Sequence, residues 1–402
     1  MGQVEMGSFG DKWCDPYRPA RFVNLNSEIS VYSAYLDNRK SSEGTLVRII
    51  ATVGKGITKD YLDTNLMCVF DLNSTSEISV RIQTYEMCEN HKKRYGGWIF
   101  TCPVPEGLDP QLPERVRISF INKEMSTGNT FAEACVISRD KDVTRRKLKF
   151  GVCVPPIYGS VTPKQLIQFI QFNRILGADI FLLYETDDLL PDIRRVIHYF
   201  KEQNIVNTVQ WTLPFQDDSI WYHGQSLAIN DCLYRNMNDF EYLVFIDLDE
   251  FIIPQRNMTT WLEVLNDLNI SEPVAFKNSS GFSFKSTFYA DEFSRHVFSN
   301  EINVIVRTNR TKHYSFRRNK VIVKPEMVFE LGIHHVSKPL HDDVSSKVIN
   351  VPTFKAHIHH YRTCVQEFGI HCQVRTEDFR VPNVYGKQII DLYLKTVFDI
   401  TP

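Results

Sequence analysis

The 402-residue chain contains no run of 18 apolar residues, so no segment reads as a membrane-spanning helix. Its opening, Met1-Gly2-Gln3-Val4-Glu5-Met6, lacks the apolar core of a secretory leader. Two expectations follow: a cytosolic protein, or the luminal part of a longer chain whose anchor lies elsewhere. The net charge of −2 supplies no basic field, which argues against nucleic acid and anionic lipid as partners. No Cys-x-x-Cys pair occurs among the nine cysteines, so structural zinc is not expected. Gly-x-Gly-x-x-Gly and Gly-x-x-x-x-Gly-Lys-Ser/Thr are both missing, which argues against a dinucleotide oxidoreductase and a P-loop NTPase.

What is present suffices for two cores, since 402 residues exceed the size of one ordinary domain. From Glu28 to Phe120 the chain offers short strand-like stretches separated by Gly, Asn, Pro and charged turns, with no amphipathic helix between them. That spacing predicts an all-β sandwich domain over residues 1–145. The charged stretch from Asp140 to Lys147 reads as a solvated join. Over residues 146–402 the pattern changes to strands alternating with helices. Thr162-Pro163 caps a helix that stops at Gly177, and further strands are expected at 178–184, 206–213 and 242–246. Four strands joined by three helices predict a mostly parallel, doubly wound sheet, with ligands beyond the carboxyl ends of its strands.

One such end carries Asp247-Leu248-Asp249-Glu250, directly after the apolar run Tyr242–Ile246. Two carboxylates two residues apart in an extended chain point the same way and repel unless a cation sits between them. A hard divalent ion shared with phosphate oxygens is the usual solution. A nucleotide gripped by carboxylates and a metal, with no glycine loop, points to a nucleotide-sugar enzyme. The bland alternative for the acidic triplet is a solvated turn.

At this point the order of elements resembles the GT-A glycosyltransferases. The stretches Trp221–Cys232, Phe245–Phe251, His359-His360-Tyr361-Arg362 and Val31–Arg39 resemble glycosyltransferase family 92. The resemblance implies an inverting galactosyltransferase that uses UDP-galactose and Mn²⁺ or another divalent cation. It also implies a glycan or glycoprotein acceptor, a β1,4 linkage, and a Golgi type II membrane protein of which this chain is the luminal part. Under it, Asp247 and Asp249 are metal ligands, with Asp247 also reaching the ribose. His335 and His360 are candidate further ligands, drawn from the pairs His334-His335 and His359-His360. Pro155, Tyr158, Glu185 and Gln225 are placed around the nucleotide, and Lys320 and Arg362 near its phosphates. Asp291 and Glu292 are candidates for the general base that takes the acceptor proton. For each of these side chains the competing role is structural: a packed aromatic, a loop carboxylate or a surface charge. The rival function is a glycan-binding protein with a degenerate transferase domain; a metal-dependent nucleotidyltransferase is a weaker third.

Five Asn-x-Ser/Thr sites, at Asn73, Asn257, Asn269, Asn278 and Asn309, point mildly to the secretory route. On that route Cys68, Cys88 and Cys102 are candidates for a disulfide, and an odd total leaves one thiol free.

Overall fold

The computed structural model describes residues 21–39, 44–73, 76–106, 108, 113–122, 131–138, 147–293, 302–341, 347–366 and 370–400. The chain divides into two units, Met1–Glu86 with Trp98–Asp140, and Met87–Gly97 with Lys141–Pro402. A single cut at residue 145 does not provide for the assignment of Met87–Gly97 to the second unit. The expected join at 140–147 lies outside the described residues except for Lys147.

In the first unit eight strands follow one hydrogen-bonded path, with Val23–Asn24 pairing off it, where two separate sheets were expected. One half contains Ile29–Asp37 and Leu46–Gly54, the other Leu66–Asn73 and Arg115–Phe120. The halves join only where Ala34 and Tyr35 pair in parallel with Val136 and Ile137. A shared core fills between them, with Ile49, Phe100 and Ile118 fully or almost fully buried. The disulfide Cys68–Cys102 links Leu66–Asn73 to Tyr95–Pro103 through that core. One helix, Lys59–Asn65, does interrupt the strands; at seven residues it is too short to show a helical period. Its start is set by Thr58, whose side chain accepts from the Tyr61 amide.

The second unit is built on a mixed sheet. Leu148–Ile157 pairs in parallel with Ile180–Glu185 on one side and Phe240–Phe245 on the other, and Val206–Gln210 extends the parallel run. Helices Pro163–Leu176, Pro191–Glu202 and Gln225–Asn236 make the crossovers. Thr162 caps the first, accepting from the Gln165 amide, and Gly177 at φ 120° ends it in a backbone region closed to other residues. Beyond Phe240–Phe245 the sheet is mixed: Ser315–Val323 and Gly281–Phe288 follow in antiparallel order, Ala356–His360 pairs in parallel with Gly281–Phe288, and Glu250–Pro254 closes the edge antiparallel to Ala356–His360.

That order forces curvature. Phe240–Phe245 and Glu250–Pro254 are neighbours in sequence but four inter-strand spacings apart in the sheet, which is about 19 Å if flat. Five chain steps from Phe245 to Glu250 reach only about 17 Å fully extended. The connecting residues also turn, so the sheet must curl to bring the two strands together. The C-terminal helix Arg380–Ile400 packs on Pro163–Leu176, with Phe172 and Tyr385 ring centroids 5.4 Å apart and Gln171 Nε2 donating to Thr396 Oγ1 at 2.6 Å. Its place was not legible from composition.

Cys153 on the central strand is bridged to Cys232 on Gln225–Asn236, across 79 residues of sequence. Cross-linking a loop of this length mainly restricts the unfolded chain. Replacing both cysteines by alanine should lower stability by about 2–4 kcal/mol. Urea unfolding monitored by tryptophan fluorescence reads this out; an unchanged midpoint would show that the bridge contributes nothing.

Candidate active site

The acidic stretch is a turn. The strand ends at Phe245, and the Glu250 amide donates to the Asp247 carbonyl at 3.1 Å, closing a four-residue turn. The alternation that would aim Asp247 and Asp249 together therefore does not apply, because the residues between them are not extended. Glu250 then begins the far strand, in register with His360, and the Tyr361 amide donates to the Asp249 carbonyl at 2.8 Å. Strand pairing thus fixes the His360-Tyr361-Arg362 segment against the turn.

The three carboxylates separate by environment. Glu250 is 0% exposed. Its Oε2 accepts from the Asp247 amide at 3.1 Å and lies 3.3 Å from Lys320 Nζ, while Oε1 lies 3.4 Å from His360 Nδ1. Burial raises its pKa, Asp247 and Asp249 add to the rise, and Lys320 offsets only part of it. Lys320 is itself buried, with Nζ donating to Asp247 Oδ2 at 2.8 Å. Burial works against its charge, but Asp247 and Glu250 overcome this and hold its pKa above the ordinary lysine range. Asp249 is also opposed by burial, yet His360, Arg362 and Lys320 hold it below the usual carboxylate range. Asp247 is further held by Gln225, whose Nε2 donates to Oδ1 at 3.4 Å.

A cavity of about 580 Å³ opens on this turn. Asp247, Leu248, Asp249, Arg318, His334 and Arg362 form one part of its lining; Pro155, Pro156, Tyr158, Trp221, Tyr222 and Gln225 form another. Tyr222 and His223 have φ of 41° and 53°, and Gly224 follows at 77°. This left-handed run holds Tyr222 at the cavity and leads into the helix that begins with Gln225. A Cβ at Gly224 would lie 3.2 Å from the Trp211 ring. Tyr158 stacks on His223 at 3.9 Å; burial, then Tyr222 and Asp247, push its pKa up to about 12. His334 has both ring nitrogens occupied, Nδ1 by the Asn319 carbonyl and Nε2 by Arg318 Nη1, each at 3.1 Å. Burial, then Lys320, lowers its pKa to about 3, so it is neutral at physiological pH.

Of the side chains anticipated from sequence, Pro155, Tyr158, Gln225, Asp247, Asp249 and Arg362 meet at this cavity, and His360 stands directly behind Asp249. Others do not meet there. Lys320 faces two carboxylates and is sealed from solvent, so it braces the turn and has no free face for a phosphate. Glu185 does not line the cavity; its Oε2 lies 3.4 Å from Arg194. His335 is exposed and interacts with Ser337 at 3.1 Å; its neighbour His334 occupies the wall instead, since adjacent residues here face opposite ways. Glu292 is exposed and accepts from the Cys364 amide at 3.4 Å, away from the cavity. The Asp291 side chain lies outside the described residues. Glu89, His91 and Arg318 also line the cavity and were not anticipated. Arg318 could be found as a neighbour of Lys320, but nothing in the sequence around Glu89 and His91 points to a site. Asn230 and Asp231 brace other parts: Asn230 pairs with the Leu331 backbone in both directions at 2.9 Å, and Asp231 accepts from Tyr184 at 2.6 Å.

A cation fits one edge of this cluster. His360 Nε2 lies 3.4 Å from Asp249 Oδ2, and both ring nitrogens of this buried histidine lack a hydrogen-bond partner. An imidazole nitrogen and a carboxylate oxygen at this separation suit adjacent ligands of one ion. A second group, His357, His359 and Asp378, places its ligand atoms within 4.8 Å of one another. There the carboxylate is held by Arg310 at 2.9 Å, and Arg310 and Arg380 both act against positive charge on His359. Cationic side chains stand near both groups, Arg310 and Arg380 at the second and Arg362 and Lys320 at Asp249; only the Asp249–His360 edge adjoins the cavity that Asp249 lines.

Residues 148–391 match glycosyltransferase family 92, which is more than half of the chain, and the chain belongs to that family. It is similar to the beta-1,4-galactosyltransferase galt-1 of Caenorhabditis elegans, 26% identical over 350 residues, covering 85% of this chain and 76% of that protein. It is also similar to the galactan beta-1,4-galactosyltransferase GALS2 of Arabidopsis thaliana, 21% identical over 368 residues, covering 90% of this chain and 63% of that protein. Among solved structures, the apo bifunctional glycosyltransferase WbbM overlaps 39% of this chain and 27% of its own at 10% identity and a TM-score of 0.21, too loosely to carry an argument. Among the described residues no helix is long and apolar enough to cross a membrane.

Removing the buried cation should expose the repulsion it contains. Lys320→Met is expected to cost about 3–5 kcal/mol, because two carboxylates are left without their partner. In that variant buried Glu250, without Lys320 to offset the rise, would take up a proton more readily folded than unfolded. A raised folded pKa stabilises at low pH and is lost as pH rises, so the deficit relative to the parent should narrow from pH 8 to pH 5.5. Chemical denaturation at both values measures it; a pH-independent deficit would assign the loss to packing alone.

Proposed function

We propose that this protein is an inverting galactosyltransferase of GT-A architecture. It moves galactose from UDP-galactose to a hydroxyl of a glycan, forming a β1,4 linkage on glycoprotein glycans with Mn²⁺ as the working cation. Family membership supports glycosyl transfer, and the names of both relatives support galactose and the linkage. The observation that carries the reading at the site is the buried, unpartnered imidazole of His360 beside Asp249, opening on a cavity that also presents Arg362 and Arg318.

In this proposal Asp249 and His360 hold the divalent ion, and Gln225 and Lys320 fix Asp247 beside it. The ion, when bound, offsets the diphosphate charge and favours departure of UDP as a Lewis acid. Arg362 and Arg318 add positive charge to the same wall, where the phosphates would lie. Pro155 and Tyr158, at the end of the central strand, flank the base, in the position where open α/β sheets bind their ligands. The proposal extends to a Golgi-luminal, type II membrane protein. Disulfides Cys68–Cys102, Cys153–Cys232 and Cys364–Cys372 suit an oxidising compartment, and Asn257 and Asn269 are exposed and open to glycosylation.

The test is UDP release from UDP-galactose with Mn²⁺, with and without glycan acceptors. Asp249→Ala and His360→Ala should each lower the rate at least about 100-fold, since even residues that only support a ligand cost 10–100-fold. Circular dichroism controls for folding. A folded Asp249→Ala protein with full activity would refute the assignment.

A further inference from the structure

Inverting transfer needs a base on the acceptor side. Of the two residues first considered for it, Glu292 points away from the cavity and the Asp291 side chain is outside the described residues. Glu89 lines the cavity. It belongs to Met87–Gly97, the short segment that clusters with the second unit although its flanks belong to the first. The segment is tied down firmly. The Cys88 amide donates to Glu330 Oε1 at 2.8 Å, the Met87 amide to the Gly97 carbonyl at 2.9 Å, and Tyr95 stacks on Phe215 at 4.0 Å. Glu89 itself is half-buried on the cavity wall, and its Oε2 accepts from the Ile333 amide.

Elimination among the cavity's carboxylates favours it. Asp247 is committed to Lys320 and Asp249 to His360. Glu89 has no cation beside it among the described residues, and its Oε1 makes no hydrogen bond there. Of the two imidazoles on the wall, His334 has both nitrogens occupied, and His91 is exposed at the rim with its ring stacked on Trp221 at 4.1 Å. One carboxylate oxygen anchored by a backbone amide, with the other free and facing a cavity, is the arrangement a general base requires.

We infer that Glu89 is the catalytic base of the transfer, a role that rests on the galactosyltransferase reading above. The acceptor hydroxyl oxygen forms a bond to the anomeric carbon of galactose as the bond from that carbon to the diphosphate oxygen breaks. The electron pair of the broken bond leaves with UDP. The hydroxyl proton passes to Glu89 Oε1, which becomes a neutral carboxylic acid and returns the proton to water after product leaves.

Glu89→Gln keeps the shape and an oxygen for the Ile333 amide but cannot take the proton. The full chain and this variant are compared with Mn²⁺ in two measurements: UDP affinity by calorimetry, and UDP release from UDP-galactose with water and with a panel of methyl hexopyranosides as acceptors. Unchanged UDP affinity with release slowed by about 10²–10⁴-fold supports the role, and Glu89→Asp should recover part of the rate. Release at the parental rate overturns it while leaving the transferase reading intact, as does a loss confined to His91→Gln. Loss of UDP affinity in Glu89→Gln would make the residue a donor contact and also overturns it. A parent chain that binds no UDP, or binds it and releases none from UDP-galactose, overturns the reading beneath and this role with it.

Discussion

The arrangement of the site depends on one buried ammonium group. Asp247, Asp249 and Glu250 crowd three carboxylates into a four-residue turn, and Glu250 has no solvent to dilute its charge. Two like charges a few ångströms apart in a poorly polarisable interior repel strongly. Lys320 answers this from the neighbouring strand by contacting Asp247 and Glu250 together. Its single charge cannot balance three. Asp249, which lines the cavity with Asp247, is countered mainly by the buried imidazole of His360 behind it and by Arg362.

The turn can carry this load because of how the sheet closes. The strand that ends at Phe245 and the strand that begins at Glu250 lie on opposite sides of three others in hydrogen-bond order. Curling the sheet to join them delivers Ala356–His360 beside Glu250–Pro254, with Glu250 opposite His360. A slip of one residue in that pairing would put Tyr361 or His359 where His360 stands and reverse the facing of every side chain on the strand. Site chemistry is therefore written into strand register as much as into the acidic triplet, and the buried tyrosines and histidines around His359 and Tyr361 hold that register from behind.

Much of this was legible beforehand, for identifiable reasons. The parallel part of the second unit followed from apolar runs, the Thr162 cap and Gly177, all local signals. The acidic triplet stood out because carboxylates at a strand end need an explanation. Asp247 and Asp249 do reach one cavity, but through a turn and not through strand alternation, and hydrogen bonding of the Glu250 amide is invisible in composition. Lys320 was read as a phosphate ligand because its partners lie 73 and 70 residues away in sequence, so nothing local shows that its charge is already taken. His334 and His335 could not be told apart by spacing, only by which side of the chain meets the cavity. Glu89 was out of reach for a different reason: it sits between strands that read as an independent β domain, and its membership in the second unit is purely tertiary.

That last point bears on how such a site is assembled. The cavity residues from Pro155 to Arg362, which the proposed transfer assigns to the donor, fall within the 148–391 span that matches the family. Glu89 and His91 fall outside it, yet they line the same cavity. In the proposed transfer the donor half must satisfy one fixed chemistry, a diphosphate and its cation, and its side chains are spread over strands whose register cannot change without moving them. A segment anchored by backbone contacts at Cys88 and Ile333 is under no such restriction on its exposed side chains. Residues around the carboxylate can vary in size and polarity while the carboxylate stays fixed by its amide partner. If the transfer runs as proposed, placing the acceptor-facing wall on a separate segment decouples what is recognised from how the sugar is activated.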